Sequence, residues 1–391
     1  MSRNAAPGEG VALVISGLGP GGAERVVSHM AGYWAEAGRS VSVITFEPPG
    51  TPPFFPLPPD VRLTQLDLLR PATGRVDGLA ANAGRVAALR RALREAESAA
   101  YVAFTSRVNV LTVLAARGLG RPVIIAERSN PLLLPQGRLW QAAQRAIYPL
   151  ADRVVFQSER VAACFSERVR RRAVIIPNPV FAPPTLAAPA VRSRRILLGM
   201  GRLDADKAYD RLVRAFAVLA ARHPLWDLEI WGDGPERPRL IALAGELGLA
   251  GRVRLPGRTA EPLARMRAAD LFALTSRYEG FPNVVLEALA CGLPVVSLDV
   301  PFGPREIIRH GVDGLLAPPD DEVALVSALS RLMGDEAERA RLAARAVEAG
   351  ERFHPRRIMA LWDALLSSMG AWPASAPSGE PGRYDMQTVR S

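Results

Sequence analysis

Apolar positions along the chain gather into short continuous runs, with stretches of helical period between them. VALVI (11–15), SVSVITF (40–46), YVAFT (101–105), PVIIAE (122–127) and RVVFQS (153–158) are rich in β-branched and aromatic residues and barely alternate. Such runs are strands covered on both faces, the situation in a parallel sheet. ERVVSHMAGYWAEAG (24–38), GRVAALRRALREAE (84–97), VLTVLAARG (110–118) and a segment around 138–148 place apolar residues on one helical face. One more strand, VRLTQLD (61–67), follows the proline-laden loop TPPFFPLPPD. Strand and helix in alternation predict an α/β domain with a doubly wound sheet.

The pattern breaks at 177–195. PNPVFAPPTLAAPAVRSRR is rich in proline and alanine without a period, and is predicted to be a linker. A second series follows: RILLGMG, a helix at 209–221, WDLEIWG, a helix at 238–247, VRLPG, LFALTS, a helix opening at Asn283, LPVVSLD and GLLAP, then helices near 321–333 and 335–350. Two Rossmann-like domains are therefore expected, 1–185 and 186–350, facing one another across a cleft. An amphipathic helix within 351–370 is assigned to pack back on the first domain. The tail, 371–391, has no apolar pattern and is expected to be disordered.

Composition narrows the class. Apolar residues make up 49% and charged residues 23%, which is a soluble globular balance. Two cysteines, Cys164 and Cys291, argue for a reducing compartment and against a disulfide framework. VALVI is too short for a signal sequence, and no window reaches 18 apolar residues. The net charge of +10 is uneven: residues 1–190 hold 22 Arg against 13 Asp and Glu. That excess suits an anionic membrane surface; no nucleic-acid motif accompanies it. Of the 49 basic residues only one is a lysine, Lys207. A compact ammonium among guanidinium groups points to a place where a mobile point charge matters.

Four motifs follow strands. LGPGGAER (18–25) opens a helix, so its N–H groups suit an anion, although it lacks the G-x-G-x-x-G pattern. A tight turn that needs small residues is the plainer reading. GMGRLDADK (199–207) sets Arg202 and Lys207 five residues apart ahead of a helix, a pairing that suits a diphosphate. WGDGPE (231–236) and RLPGR (254–258) are turns first, though Gly257 would let a flat base lie on backbone. TSRYEGFPNVVLEALACG (275–292) carries Glu279 and Glu287 around a helix start at Gly280, Phe281, Pro282 and Asn283. Carboxylates there suit sugar or ribose hydroxyls rather than phosphate, and Glu287 also reads as an ordinary helical surface residue. H-E-x-x-H, C-x-x-C, G-x-S-x-G and Walker A patterns are absent from the sequence, and its four histidines are placed on surfaces or at caps.

Taken together, GPGGAERVV, GRLDADKAYDRLVRAF, WGDGPE, RVRLPGR and ADLFALTSRYEGFPNVVLEALACGLPVVS resemble glycosyltransferase family 4, retaining nucleotide-sugar transferases of GT-B fold. The resemblance spans about 10–370. AERSNP (126–131) and DVPFGPREII (299–308) are similar to bacterial enzymes that extend lipid-linked oligosaccharides or exopolysaccharide units. It implies that Arg202 and Lys207 hold the donor diphosphate, with backbone help from Gly280 to Asn283. Glu279 would meet the transferred sugar, Glu287 the ribose, and Gly257 and Arg258 the base. Gly21 and Gly22 would close on the donor from the other domain. Where the family often has a histidine, this chain has Glu127, Arg128 and Asn130, which become acceptor-side candidates. Ala208 stands where glycine commonly follows the lysine, a departure expected to cost little.

A further implication is a UDP-sugar donor such as UDP-GalNAc, UDP-GlcNAc or UDP-Gal, with a polyprenyl-diphosphate-linked saccharide as acceptor. No cofactor or metal is expected, since two cations and a helix start would stabilise the leaving group. Arg90, Arg91, Arg94, Arg170, Arg171 and Arg172 are candidates for an anionic membrane at the inner face of the cytoplasmic membrane. Other readings are a sugar-nucleotide epimerase on the same fold and a non-catalytic nucleotide-sugar-binding partner. The first needs acid and base residues beside the sugar, and the sequence does not display them.

Overall fold

The computed structural model describes residues 10–69, 75–128, 137–181 and 193–372. Most of the expected linker, Asn130 and the chain beyond Trp372 lie outside these residues. Two compact units divide the rest: one ends at Asn178 and resumes at Arg356, and the other is Pro179–Pro355.

The first unit runs β1 (Val11–Ile15), α1 (Gly22–Glu36), β2 (Val41–Thr45), β3 (Arg62–Gln65), α2 (Arg75–Glu95), β4 (Ala100–Phe104), α3 (Ser106–Ala116), β5 (Val123–Ala126), α4 (Arg138–Ile147), β6 (Arg153–Phe156), α5 (Glu159–Ala163), α6 (Glu167–Arg170) and β7 (Ala173–Ile175). Its strands form one parallel sheet in the order β3-β2-β1-β4-β5-β6-β7. Strands β1, β2, β4 and β5 are buried along their whole length, which is why their sequences are apolar without alternation.

In the second unit the order is β8 (Arg195–Met200), α7 (Tyr209–Ala220), β9 (Trp226–Trp231), α8 (Arg237–Glu246), β10 (Val253–Gly257), α9 (Pro262–Arg267), β11 (Leu271–Leu274), α10 (Asn283–Ala290), β12 (Val295–Leu298), α11 (Pro304–Ile307), β13 (Gly314–Ala317), α12 (Glu322–Gly334), α13 (Glu336–Ala346) and α14 (Glu348–Arg352). Six parallel strands lie in the order β10-β9-β8-β11-β12-β13. Both units are therefore Rossmann-like.

The last helix, α15 (Pro355–Ser368), belongs to the first unit. Its Ile358, Met359, Trp362, Leu365 and Leu366 join the core made by β1, α1 and β4, and the Trp34 indole donates to Asp363 at 2.8 Å. Three sequence readings need correction. A seventh strand, β7, extends the first sheet; three residues against Pro177 give no readable pattern. Pro179 and Val180 belong to the second unit, where the Val180 N–H donates to Phe353 at 2.9 Å. The expected disordered tail does not begin at Ala371, because Ala371 and Trp372 are buried. Trp372 stands edge-on to Trp34 at 5.4 Å and beneath the Arg39 guanidinium at 4.1 Å, so one ring anchors the chain without any periodic signal.

Candidate functional site

In the second sheet the chain steps outward from β8 to β10, then returns to place β11 on the other side of β8. A reversal of this kind opens a crevice beyond the carboxyl ends of the two central strands, where open parallel sheets bind ligands. Arg202 and Lys207 follow β8, while Glu279, Gly280, Phe281 and Pro282 follow β11. Asn283 and Glu287 lie on α10, and Gly257 and Arg258 end β10 two strands away.

The sequence assigned Lys207 to phosphate and Glu279 to sugar. In the structure they also meet each other: Lys207 Nζ donates to Glu279 Oε1 at 2.7 Å, with side chains only 22% and 9% exposed. Removing either partner from so enclosed a pair leaves an uncompensated charge, so each holds the other in place. Arg202 is 82% exposed and touches Asp204 at 3.0 Å. An exposed pair contributes about 0–1 kcal/mol, so exchanging Asp204 for a phosphate costs Arg202 little.

The loop bearing Lys207 is fastened to the β11 exit at two more points. The Arg277 N–H donates to the Asp206 carbonyl at 2.8 Å. The buried Thr275 hydroxyl lies 3.3 Å from the Lys207 carbonyl and 3.2 Å from that of Ala208. Ala208 itself is left-handed, with φ 48° and ψ 44°. Tyr209 packs beneath, and a Cβ on Gly201 would come within 2.9 Å of its hydroxyl. Burial and the nearby Glu279 and Asp204 carboxylates hold the Tyr209 hydroxyl well above its ordinary pKa, so it stays protonated.

Pro282 is the N-cap of α10, and the helix starts at Asn283 as the sequence suggested. Its first-turn N–H groups give the positive end of the helix dipole to the same crevice. Gly303, at φ 96° after β12, backs this turn: a Cβ there would lie 2.4 Å from Pro282 Cδ and 3.1 Å from the Gly280 carbonyl. WGDGPE proves to be a support. Leu203 N–H donates to the Asp233 carbonyl at 3.0 Å, and a Cβ on Gly232 would fall 1.8 Å from the Gly201 carbonyl oxygen. Backbone contact that close explains the two glycines without a ligand.

In the first unit, Gly21 is the N-cap of α1 and Gly22 its first residue. The turn already faces carboxylates. Glu47 accepts the Leu18 N–H at 3.0 Å, and the Glu24 carboxylate lies against Gly21, its pKa raised chiefly by burial. Glu127 ends β5 and is 1% exposed. It accepts from Ser106 at 3.0 Å, from Gln144 at 3.2 Å and from Tyr148. Next to it, the Arg128 guanidinium donates to Asn178 and lies 5.4 Å from the Phe104 ring and 5.9 Å from Trp362. Burial lowers its pKa to about 10, which leaves it charged at neutral pH. Arg90 is tied to the end of α3, donating to the Ala115 carbonyl at 2.8 Å and to that of Arg117. Arg91 and Arg94, near the end of α2, and Arg170 to Arg172, ahead of β7, are exposed on the amino edge of the sheet. Glu127 and Arg128 lie at the opposite, carboxyl edge.

Residues 21–179 match the family described as glycosyl transferase 4-like domain, and residues 188–349 match glycosyl transferases group 1. The chain belongs to the GT-B glycosyltransferases of group 1. It is 29% identical, over 92% of its own length and 98% of the relative's, to a Campylobacter jejuni α-1,4-N-acetyl-D-galactosaminyltransferase whose name specifies an undecaprenol-PP-linked saccharide. It is 35% identical over 72% of its length to the exopolysaccharide phosphotransferase SCO2592 of Streptomyces coelicolor, but spans only 30% of that protein. Among solved structures, sucrose-phosphate synthase of Thermosynechococcus elongatus superposes with a TM-score of 0.79 at 24% identity, covering 93% of this chain and 99% of that one.

For this glycosyltransferase, sequence reasoning named the charged residues and missed their supports, Thr275 and the left-handed Ala208. Gly303 lay inside a quoted motif, but its contact with Pro282 joins strand exits that are far apart in sequence. Among the described residues, no helix is long and apolar enough to cross a membrane.

Proposed function

We propose that this glycosyltransferase moves a hexose or N-acetylhexosamine from a UDP-sugar, such as UDP-GalNAc, UDP-GlcNAc or UDP-Gal, to a saccharide carried on polyprenyl diphosphate, with retention of configuration. The observation that carries the reading is the Lys207–Glu279 pair beside exposed Arg202 at the strand reversal. A donor diphosphate would draw Lys207 and Arg202, and Glu279 would turn to a sugar hydroxyl while still flanking the ammonium. Asn283 and the start of α10 would meet phosphate oxygens, Glu287 the ribose, and Gly257 and Arg258 the base. Similarity to the Campylobacter enzyme over nearly the whole chain supports the acceptor class.

In the proposed reaction the acceptor hydroxyl oxygen bonds to the sugar's anomeric carbon on the face the diphosphate leaves. The bond from that carbon to the β-phosphate oxygen breaks, and a β-phosphate oxygen takes the acceptor proton. The cations stabilise the charge that develops on the departing diphosphate, so no metal is needed. The test is nucleoside diphosphate release with a panel of nucleotide sugars and an undecaprenyl-diphosphate-linked saccharide, with and without EDTA. Release that requires the acceptor and survives EDTA is expected. Donor isomerisation without transfer would favour the epimerase reading instead.

The proposal includes peripheral binding to an anionic surface at the inner face of the cytoplasmic membrane. Exposed Arg91, Arg94, Arg170, Arg171 and Arg172 support it by charge. Flotation with anionic vesicles at low salt should carry the protein upward and lose it at high salt; failure to float at low salt contradicts the membrane role.

A further inference from the structure

We infer that Thr275 is a positioning residue that aims Lys207, and that the left-handed Ala208 is the backbone state it selects. The inference rests on the reading of Lys207 given above and adds a residue to it. In a strand, successive carbonyls point to opposite sides; in helical conformations of either hand they point the same way. Left-handed φ and ψ at Ala208 therefore turn the Lys207 and Ala208 carbonyls in one direction, toward the same hydroxyl. Thr275 is 1% exposed and ends the β11 side of the strand reversal, so its hydroxyl is fixed before any ligand arrives. With the Arg277 N–H on the Asp206 carbonyl and Glu279 on the ammonium, three consecutive odd positions of one strand exit grip three consecutive residues of the other. The lysine's carbonyl and ammonium are held by the neighbouring loop, while its N–H donates to Asp204 of its own loop at 3.2 Å. A residue with a Cβ is strained in left-handed backbone, so the conformation needs partners of this kind.

Because Lys207 is the only lysine in the chain, its orientation can be read directly. Wild type, Thr275→Val and Thr275→Ser are treated with an amine-acetylating reagent, and Lys207 modification is timed by peptide mass. Valine keeps the shape and loses the hydroxyl; serine keeps the hydroxyl. Thr275→Val should label about 5–10-fold faster than wild type, with a melting temperature close to it, and Thr275→Ser should label at the wild-type rate. In sugar-transfer assays the valine variant should lose a similar factor in kcat with a smaller change in donor KM. Equal labelling of wild type and Thr275→Val overturns the inference, as does equal acceleration in the valine and serine variants. If the valine variant does not fold, Thr275→Ser and Thr275→Ala, which differ only in the hydroxyl, make the same comparison. The labelling result stands even if the wild type transfers no sugar, and an active Lys207→Ala would sink the phosphate reading while leaving the labelling result intact.

Discussion

At the scale of single residues, the site depends on conformations that residue identity does not reveal. Ala208 holds a left-handed backbone, which costs about 1–2 kcal/mol for a residue with a side chain. Its buried methyl returns up to about 0.8 kcal/mol, and alanine avoids part of glycine's entropy cost. The terms nearly cancel, so Ala208→Gly should change denaturant stability by less than about 1 kcal/mol. Ala208→Val, β-branched in a left-handed and filled position, should lose more than about 2 kcal/mol. A loss as large for glycine as for valine would contradict the backbone account. His29, half-buried on α1, has its pKa lowered to about 4 by burial, with Arg25 adding repulsion. Below the unfolded value of 6.5 the unfolded chain binds the proton more readily, so stability falls as pH drops from about 6.5 to about 4. His29→Gln should flatten that part of a melting-temperature profile; an unchanged slope would exclude His29 as a source.

Elements place the residues, and their visibility in the sequence follows their burial. Fully covered strands such as β1, β2 and β4 gave continuous apolar runs and were legible. The beginning of α2 was not, because RVDGLAANA mixes glycine, asparagine and small residues without an apolar stripe. Arg202, Lys207 and Glu279 could be picked out because they follow strands, and Glu287 because it lies in the helix that comes next; the Lys207–Glu279 contact could not. That contact depends on β8 and β11 being sheet neighbours, a pairing across more than seventy residues that local pattern does not encode. The same holds for Gly303, where the β12 exit supports the start of α10. Gly303→Ala must push Pro282 and strain a positive φ, so it should raise donor KM several-fold and lower the melting temperature by a few degrees. Wild-type values for both would show that the turn does not depend on this contact.

For the whole molecule, each unit places its chemistry-bearing residues beyond the carboxyl ends of a parallel sheet. In the first unit Glu127 is enclosed by Ser106, Gln144 and Tyr148, and this arrangement fixes the β5 exit. The exposed arginines of α2 and the segment before β7 lie at the other edge, so the membrane role proposed for them is separable from whatever the β5 exit does. In the second unit the sole lysine, an exposed arginine and a helix start follow the strands at which the order reverses, and that is where we propose transfer from a nucleotide sugar. The most direct measurement of this claim is acceptor-dependent release of nucleoside diphosphate by Lys207→Ala beside wild type, with folding checked by melting temperature. Loss of one electrostatic stabiliser predicts a fall in kcat of about 10²-fold or more in a folded variant. Wild-type turnover by Lys207→Ala would contradict the assignment.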